Sequence, residues 1–382
     1  MNEAVIVTAK RTPIGKIGGV LKDYSPEALT AKVLQSINNE YPFITNSIDD
    51  VILGNTVGPG GNLARLSALT AGLPLSVPGL TLDRQCGSGL EAIVTACRFI
   101  QAGAGDIYLA GGVESTSQAP WKIEKPANSY SPLPPKIFTR ARFSPDEIGD
   151  PEMGIAAENV AKEYGISRDE QDRFSLKSHQ KAVESLENER FFDEIVLVGE
   201  SFRDECPRPN TSFDKLQLLP PAFKAGGTVT AGNACPINDG AAIVLVMSKK
   251  KCEELGIKPT MQFVNSSVKG VDPNILGIGP VPAVQTLLEK EDLTIQDIDT
   301  IEFNEAFASQ VLASLRELNI NEEKVNRGGG ALALGHPYGA SGAILVTRLF
   351  YEMKSRKDRY GIATLGIGGG MGLAALFKGF ED

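Results

Sequence analysis

Four short segments of this chain carry residue types and surroundings suited to nucleophilic and proton-transfer chemistry. Asp83-Arg84-Gln85-Cys86-Gly87-Ser88-Gly89 joins a short apolar segment to a long one with helical spacing. A Cys at a helix N-terminus, or within a residue or two of it, meets the helix dipole and unpaired N–H groups. Both favour a thiolate and lower its pKa. The small residues that follow let a substrate approach the backbone, so Cys86 is the candidate nucleophile. The plain alternative is a small buried hydrophobe. Gly335-His336-Pro337 lies between two Gly-rich turns, and the chain has only one other His, His179. His336 is therefore the candidate general base, while His179, inside a charged helical stretch, is expected at the surface. Asn304-Glu305 follows the strand-like 301–303, and such a strand end is a site position in parallel α/β folds. The Asn304 amide can hold a water or donate to an oxyanion, or it can simply cap a helix. Finally, Gly366-Ile367-Gly368-Gly369-Gly370-Met371-Gly372 exposes backbone N–H groups suited to an oxyanion hole, or forms only a tight turn. It lacks the Gly-Lys-Ser/Thr of a phosphate loop.

The elements that must position these residues alternate between strand and helix. Segments 4–8, 51–54, 79–82 and 107–110 read as short strands, the last ending at Gly111-Gly112. Ser25-Pro26-Glu27 opens a helix with a cap, a first-turn Pro and an acid. Segments 62–72 and 89–102 are helical too. This alternation predicts an α/β fold with a largely parallel sheet. From Ser117 to Ile237 the pattern weakens, and Pro120, Pro126, Pro132, Pro134, Pro135, Pro145 and Pro151 interrupt it. Two amphipathic helices stand out there, at 154–164 and 168–189. This stretch reads as an insertion that lines a site or forms an oligomerisation arm. Strand character returns over 238–247, and a second α/β stretch follows Pro259. Ile48-Asp49-Asp50-Val51-Ile52 matches Ile298-Asp299-Thr300-Ile301-Glu302, and Val94-Thr95 matches Val346-Thr347, in the same order and at similar spacing. A duplicated half-domain explains this.

Composition narrows the function. The 382 residues are 42% hydrophobic and 22% charged, enough for a sizeable core, and include 40 Gly. A net charge of −9 disfavours general nucleic-acid binding. No apolar run is long enough to span a membrane. The N-terminal segment lacks the features of a signal peptide, and the final Gly379-Phe380-Glu381-Asp382 is neither a peroxisomal nor a retention signal. Five scattered Cys (Cys86, Cys97, Cys206, Cys235 and Cys252) with no Cys-x-x-Cys pair argue against a disulfide framework and a zinc site. The expected setting is reducing and cytoplasmic.

Along essentially its whole length the sequence resembles the thiolases, the acetyl-CoA C-acetyltransferase-like family. The resemblance rests on Arg11-Thr12-Pro13-Ile14-Gly15, Cys86-Gly87-Ser88-Gly89, Met153-Gly154 with Ala157-Glu158-Asn159, and Gly227-Thr228-Val229-Thr230-Ala231-Gly232-Asn233-Ala234. It continues through Asn238-Asp239-Gly240-Ala241-Ala242, Gly277-Ile278-Gly279-Pro280-Val281-Pro282, Asn304-Glu305-Ala306-Phe307, Gly335-His336-Pro337 and the final Gly-rich loop. It implies two similar βαβαβαββ halves in five α-β-α-β-α layers with an inserted loop domain. The N-terminal half would be 1–115 plus 238–257, the insertion 116–237 and the C-terminal half 258–382. It also implies ping-pong acyl transfer between acyl-CoA and CoA, as substrates rather than bound cofactors, with no metal. Cys86 would form the thioester. His336 would take its proton and, with a water held by Asn304, bind the thioester oxygen. Backbone N–H groups of Cys86 and Gly368 would form a second hole. Cys235, Met153, Leu276, Lys215 and Ala306 would contact the substrate, with Arg208 and Lys215 candidates for the CoA phosphates. A homodimer or homotetramer is expected.

The sequence departs from the family pattern where a second reactive Cys is expected, for that position is Gly366. Cys235-Pro236 stands where Ser-Gly is common, Glu152 where many relatives have His, and Asp83 where Asn is usual. Gly has no titratable group, and losing a general base usually costs ~10²–10⁴-fold. Cys235 or Glu152 is a candidate substitute. Three functions stay open: making or cleaving a 3-oxoacyl-CoA such as acetoacetyl-CoA, passing the acyl group to another acceptor, or binding CoA without catalysis.

Overall fold

A computed structural model of the chain describes residues 2–126, 128, 130, 134–138 and 140–380. Pro132, Glu381 and Asp382 lie outside them. The first half runs β1 (Ala4–Arg11), β2 (Gly15–Lys16), α1 (Pro26–Glu40), β3 (Asp50–Gly54), α2 (Leu63–Thr70), β4 (Gly79–Leu82), α3 (Ser88–Ala102) and β5 (Ile107–Ser115). Helix α1 starts as expected, with Ser25 Oγ accepting the Ala28 N–H and Pro26 in the first turn. The irregular stretch holds β6 (Lys122–Ile123), β7 (Ile137–Phe138), α4 (Met153–Glu163), α5 (Arg168–Glu187) and α6 (Phe213–Gln217). The chain then re-enters the first half as β8 (Asn238–Ser248) and α7 (Lys249–Leu255). The second half is β9 (Met261–Gly270), α8 (Pro280–Lys290), β10 (Thr300–Phe303), α9 (Ala308–Glu317), α10 (Ala331–Leu334), α11 (Tyr338–Arg356), β11 (Tyr360–Ile367) and β12 (Met371–Gly379). Strand β5 runs past its expected end at Gly111-Gly112, because all nine of its residues pair with β8 as far as Ser115↔Asp239.

The strand order is β4-β3-β5-β8-β1, continuing as β9-β12-β11-β10. Strand β3 pairs in parallel with β4 and β5, and β10 with β11, while the other pairings are antiparallel, so the sheet is not the largely parallel one expected. The two halves of the sheet join where β1 pairs with β9, at Val5↔Gln262 and Ile6↔Met261. Alternate strand residues face opposite layers. On β8, Ala241, Ile243, Leu245 and Met247 pack outward with α1 and α2, while Ala242, Val244 and Val246 face a central core. On β12, Leu373, Ala375 and Phe377 face that central core, while Ala374 and Leu376 pack with α8 and α9. Helices α3 and α11 fill the centre, which makes five layers, α-β-α-β-α.

The sequence repeat has a physical basis. Asp49 Oδ2 accepts the N–H groups of Asp106 and Ile107 at the start of β5. Asp299 Oδ2 accepts those of Arg359 and Tyr360 at the start of β11. Each Ile-Asp pair thus ties one parallel strand to the next, the Ile side chain being buried.

Three buried glycines let the central backbones touch. A Cβ on Gly89 would lie 2.6 Å from the Gly339 carbonyl oxygen, and one on Gly112 or Gly342 would strike the Gly339 or Leu90 backbone. A buried ionic cluster lies nearby. Arg11 bonds Asp204 through both terminal nitrogens, at 2.7 and 2.9 Å, and Glu194 through Nε at 2.8 Å. Arg348 reaches the other Glu194 oxygen at 2.7 Å. Both guanidiniums stack on Phe191, at 5.3 and 4.0 Å.

Helix α5 docks polar groups into the second half: Ser178 Oγ donates to Glu305 and Lys181 Nζ to the Val325 carbonyl. His179, expected at the surface, is 5% exposed, and its Nδ1 accepts the Arg208 N–H. The helix is charged mostly on its outer face, and His179 lies on the buried one with Ser175, Ser178 and Ala182.

The backbone crossing sets a test. Gly112→Ala should lower stability by about 1–3 kcal/mol through overpacking. Gly366→Ala, whose Cβ meets nothing closer than 3.4 Å, should change it by less than about 1 kcal/mol. Denaturant midpoints of the two variants at constant m-value check this.

Candidate active site

The Cys86 turn is over-determined by hydrogen bonds. Ser88 Oγ accepts the Arg84 N–H at 2.8 Å and donates to the Gln85 carbonyl at 2.6 Å. Asp83 Oδ1 accepts the Gln85 N–H, and Thr56 Oγ1 donates to the Gln85 carbonyl. These bonds hold Gln85 at φ +47°, a left-handed conformation unusual for a side-chain-bearing residue and common at functional turns. Helix α3 begins two residues after Cys86. The helix start does not lower the thiol pKa as expected. Burial pushes it up to about 11, opposed by N–H donation from Gly368 and from Cys86 itself and reinforced by the nearby carboxylates of Glu114 and Asp83. Desolvation outweighs the dipole here.

His336 sits between α10 and α11, with its N–H bonded to Asn238 Oδ1 at 2.9 Å. Nδ1 lies 2.6 Å from Ser341 Oγ and Nε2 3.4 Å from Asn304 Nδ2. An amide NH₂ only donates, so Nε2 accepts and the ring proton sits on Nδ1. Burial lowers the His336 pKa to about 4, so the imidazole is neutral at pH 7 with its Nε2 lone pair directed toward the Asn304 side. Asn304 is anchored beyond β10 by its N–H to the Thr364 carbonyl at 3.0 Å. The adjacent Glu305 is not a site residue. Its buried carboxylate accepts from Ser178 Oγ, Asn326 Nδ2 and the Leu332 N–H, and so braces the segment.

Accessibility marks out the cavity. From 328 to 350 every residue is buried except Tyr338; from 361 to 368 the exception is Gly366, and from 300 to 311 it is Ala306. Cys86 and Cys235 are likewise partly open. The Cys235 N–H donates to the Ala306 carbonyl at 2.9 Å, and burial together with Cys86 pushes the Cys235 thiol up. The Tyr338 ring meets the His336 ring edge-on at 5.3 Å, and its phenol is close enough to both thiols for their charges to oppose its ionisation. Met153 packs with Ala157, Val229, Ala234, Ala306 and Phe307, on the Ala306 side of the cavity. A Cβ on Gly366 would face the Leu276 carbonyl oxygen at 3.4 Å, which puts buried Leu276 against that wall.

Two sequence candidates fall outside this group. Glu152, two-thirds exposed, is held in an ion pair with Arg140 at 3.1 Å, and Lys215 donates to the Asn210 carbonyl on the exposed face of α6. Sequence reasoning passed over Tyr338, Ser341 and Glu114. Tyr338 and Ser341 lie on the first turns of α11, where helical geometry turns both toward His336. Glu114 accepts from Asn55 Nδ2 and the Thr56, Val57 and Gly339 N–H groups, and burial raises it to about 7. A thiol, a neutral imidazole and convergent N–H donors around one cavity suit nucleophilic attack on a carbonyl.

Comparison with known proteins gives a consistent result. Residues 4–250 match the model of the thiolase N-terminal domain and residues 257–379 that of the thiolase C-terminal domain. A Staphylococcus epidermidis protein provisionally named acetyl-CoA C-acetyltransferase VraB is 52% identical over 382 residues, 99% of each chain. Its Staphylococcus aureus counterpart is 52% identical over 384 residues, 100% of each chain. The crystal structure of the Bacillus anthracis acetyl-CoA acetyltransferase superposes with a TM-score of 0.94 at 40% identity, covering 100% of this chain and 99% of that one. Human mitochondrial 3-ketoacyl-CoA thiolase in complex with CoA gives 0.94 at 36% identity, covering 100% and 98%.

The raised thiol pKa has a direct readout. Alkylation of Cys86 by iodoacetamide, followed by peptide mass spectrometry, should accelerate about tenfold per pH unit between about pH 7 and pH 10. A rate already flat at pH 7 would show a preformed thiolate and contradict this electrostatic picture.

Proposed function

The chain belongs to the thiolase family, and on that premise we propose that it transfers acyl groups from acyl-CoA through a thioester on Cys86. The product or substrate of the carbon–carbon half-reaction would be a 3-oxoacyl-CoA such as acetoacetyl-CoA. The observation that carries this reading is Cys86, on a turn that holds Gln85 left-handed, close to the Tyr338 phenol whose ring packs on the neutral His336 imidazole.

Cys86 attacks the thioester carbonyl while His336 Nε2 takes the thiol proton. This transfer answers the raised thiol pKa, since the thiolate need exist only as the bond forms. The imidazolium then donates to the thioester oxygen beside the Asn304 amide, while the N–H groups of Cys86 and Gly368 face the acyl oxygen on the enzyme. Such a donor is typically worth ~2.7–4 kcal/mol in the transition state. Met153, Leu276, Ala306 and Cys235 line the path of the pantetheine arm, and the exposed ammonium of Lys215, with Arg208, suits the CoA phosphates. The protein works as a homodimer or homotetramer in a reducing compartment such as the cytoplasm, where Cys86 stays a thiol.

A second reading follows from Gly366. With no titratable group there, an acceptor that is already nucleophilic would take the acyl group without any α-proton having to move. A purely CoA-binding role is disfavoured by the presence of Cys86 together with the hydrogen-bonded pair of His336 and Asn304.

Incubation with acetyl-CoA should leave Cys86 one acetyl group heavier by mass spectrometry, and Cys86→Ala should abolish the adduct. His336→Ala should slow its formation by ~10²–10⁴-fold. An unmodified Cys86 in folded native protein would refute acyl transfer.

A further inference from the structure

Making or breaking a carbon–carbon bond beside an acylated Cys86 requires a group that moves a proton at the α-carbon, and Gly366 has none. Tyr338 lies close to both Cys86 and Cys235. It is the one residue between 328 and 350 that reaches open space. Its backbone is fixed on both sides, with the Tyr338 N–H on the His336 carbonyl at 3.0 Å and the Gly339 N–H on Glu114 Oε2 at 3.0 Å. Its ring packs at 87° against His336. Among the described residues the phenol oxygen makes no hydrogen bond, so it is free to engage a substrate. Of the substitutes expected from sequence, Glu152 is tied up by Arg140, and Cys235 neighbours the same phenol.

We propose that Tyr338 is the catalytic acid and base at the substrate α-carbon, the role that a side chain at position 366 would otherwise fill. This inference rests on the acyl-transfer reading of Cys86. In cleavage, the Cys86 sulfur adds to the 3-oxo carbonyl of acetoacetyl-CoA and its proton passes to His336. The C2–C3 bond breaks, and its electron pair leaves as the enolate of acetyl-CoA. The Tyr338 hydroxyl gives its proton to that α-carbon and becomes a phenolate. An entering CoA thiol protonates the phenolate, and the resulting thiolate attacks the acetyl-Cys86 carbonyl. His336 returns its proton to the departing Cys86 sulfur. The sum is acetoacetyl-CoA plus CoA giving two acetyl-CoA, with no oxidant or reductant. Burial, Cys235, Cys86 and Glu114 all oppose ionisation of the phenol, so the phenolate, once formed, is basic enough to deprotonate a thiol.

Tyr338→Phe keeps the ring on His336 and removes only the oxygen. Two assays on the full-length protein decide the matter: acetylation of Cys86 by acetyl-CoA, and CoA-dependent cleavage of acetoacetyl-CoA. Tyr338→Phe should lower cleavage by ~10²–10⁴-fold and acetylation by less than about tenfold, and Gly366→Cys added to it should restore cleavage at least about tenfold. Unchanged cleavage in Tyr338→Phe, or equal losses in both assays, would overturn the role of Tyr338. So would a native protein that acetylates Cys86 yet does not cleave acetoacetyl-CoA. A native protein whose Cys86 is never acetylated would instead sink the acyl-transfer reading itself.

Discussion

Arg11 and Arg348 share the two oxygens of Glu194 in the dry interior, and Asp204 holds Arg11 from the other side. Burial opposes the charge of Arg11, but Asp204 and Glu194 outweigh it and keep the guanidinium ionised. Removing one partner from such a set strands a buried charge at about 3–5 kcal/mol. Three distant segments are therefore committed to one another: the end of β1, the 191–204 connection after α5, and the middle of α11. The cluster helps to fix the position of α11, which carries Tyr338 and Ser341 at its start, just after His336. Glu302, fully buried on the same side, is pushed up to about 8 by burial and by Glu352, Glu194 and Glu305 against the pull of Arg348. It is therefore largely protonated at pH 7 and adds little negative charge to the cluster.

The duplication explains how one fold supplies two different halves of a reaction centre. Each half offers a strand, a Gly/Ser turn and a central helix. In the first, Ser88 Oγ is spent on the backbone of its own turn and holds Cys86 in place. In the second, Ser341 Oγ faces the His336 ring and accepts its Nδ1 proton. Cys86 and His336, the proposed nucleophile and base, thus lie beside the corresponding turns of the two halves, and α3 and α11 pack together in the central core.

Much of this was legible in the residues. Ser25-Pro26 marked α1, the Ile-Asp repeat marked the duplicated halves, and the flanking glycines singled out Cys86 and His336. What was not legible depends on tertiary neighbours. Nothing near Arg11 in sequence announces Glu194, Asp204 or Arg348. The Cys86 pKa depends on how much water the surrounding layers exclude, which helix position alone does not tell. His179 and Glu305 look exposed or catalytic by residue type, yet each is absorbed in buried hydrogen bonds. Tyr338 sits in plain view beside His336, but only the burial of every residue around it shows that it faces a cavity.

At the α3–α11 crossing, Gly89 and Gly342 put backbone against backbone with no side chain between. Most helix pairs are separated by a layer of rotamers that loosens on warming and repacks after substitution. Here that layer is absent. The spacing between the Cys86 turn and the His336 turn is set by peptide atoms in close approach, whose identity no side-chain substitution changes. That spacing is thereby insulated from side-chain substitutions in the surrounding core.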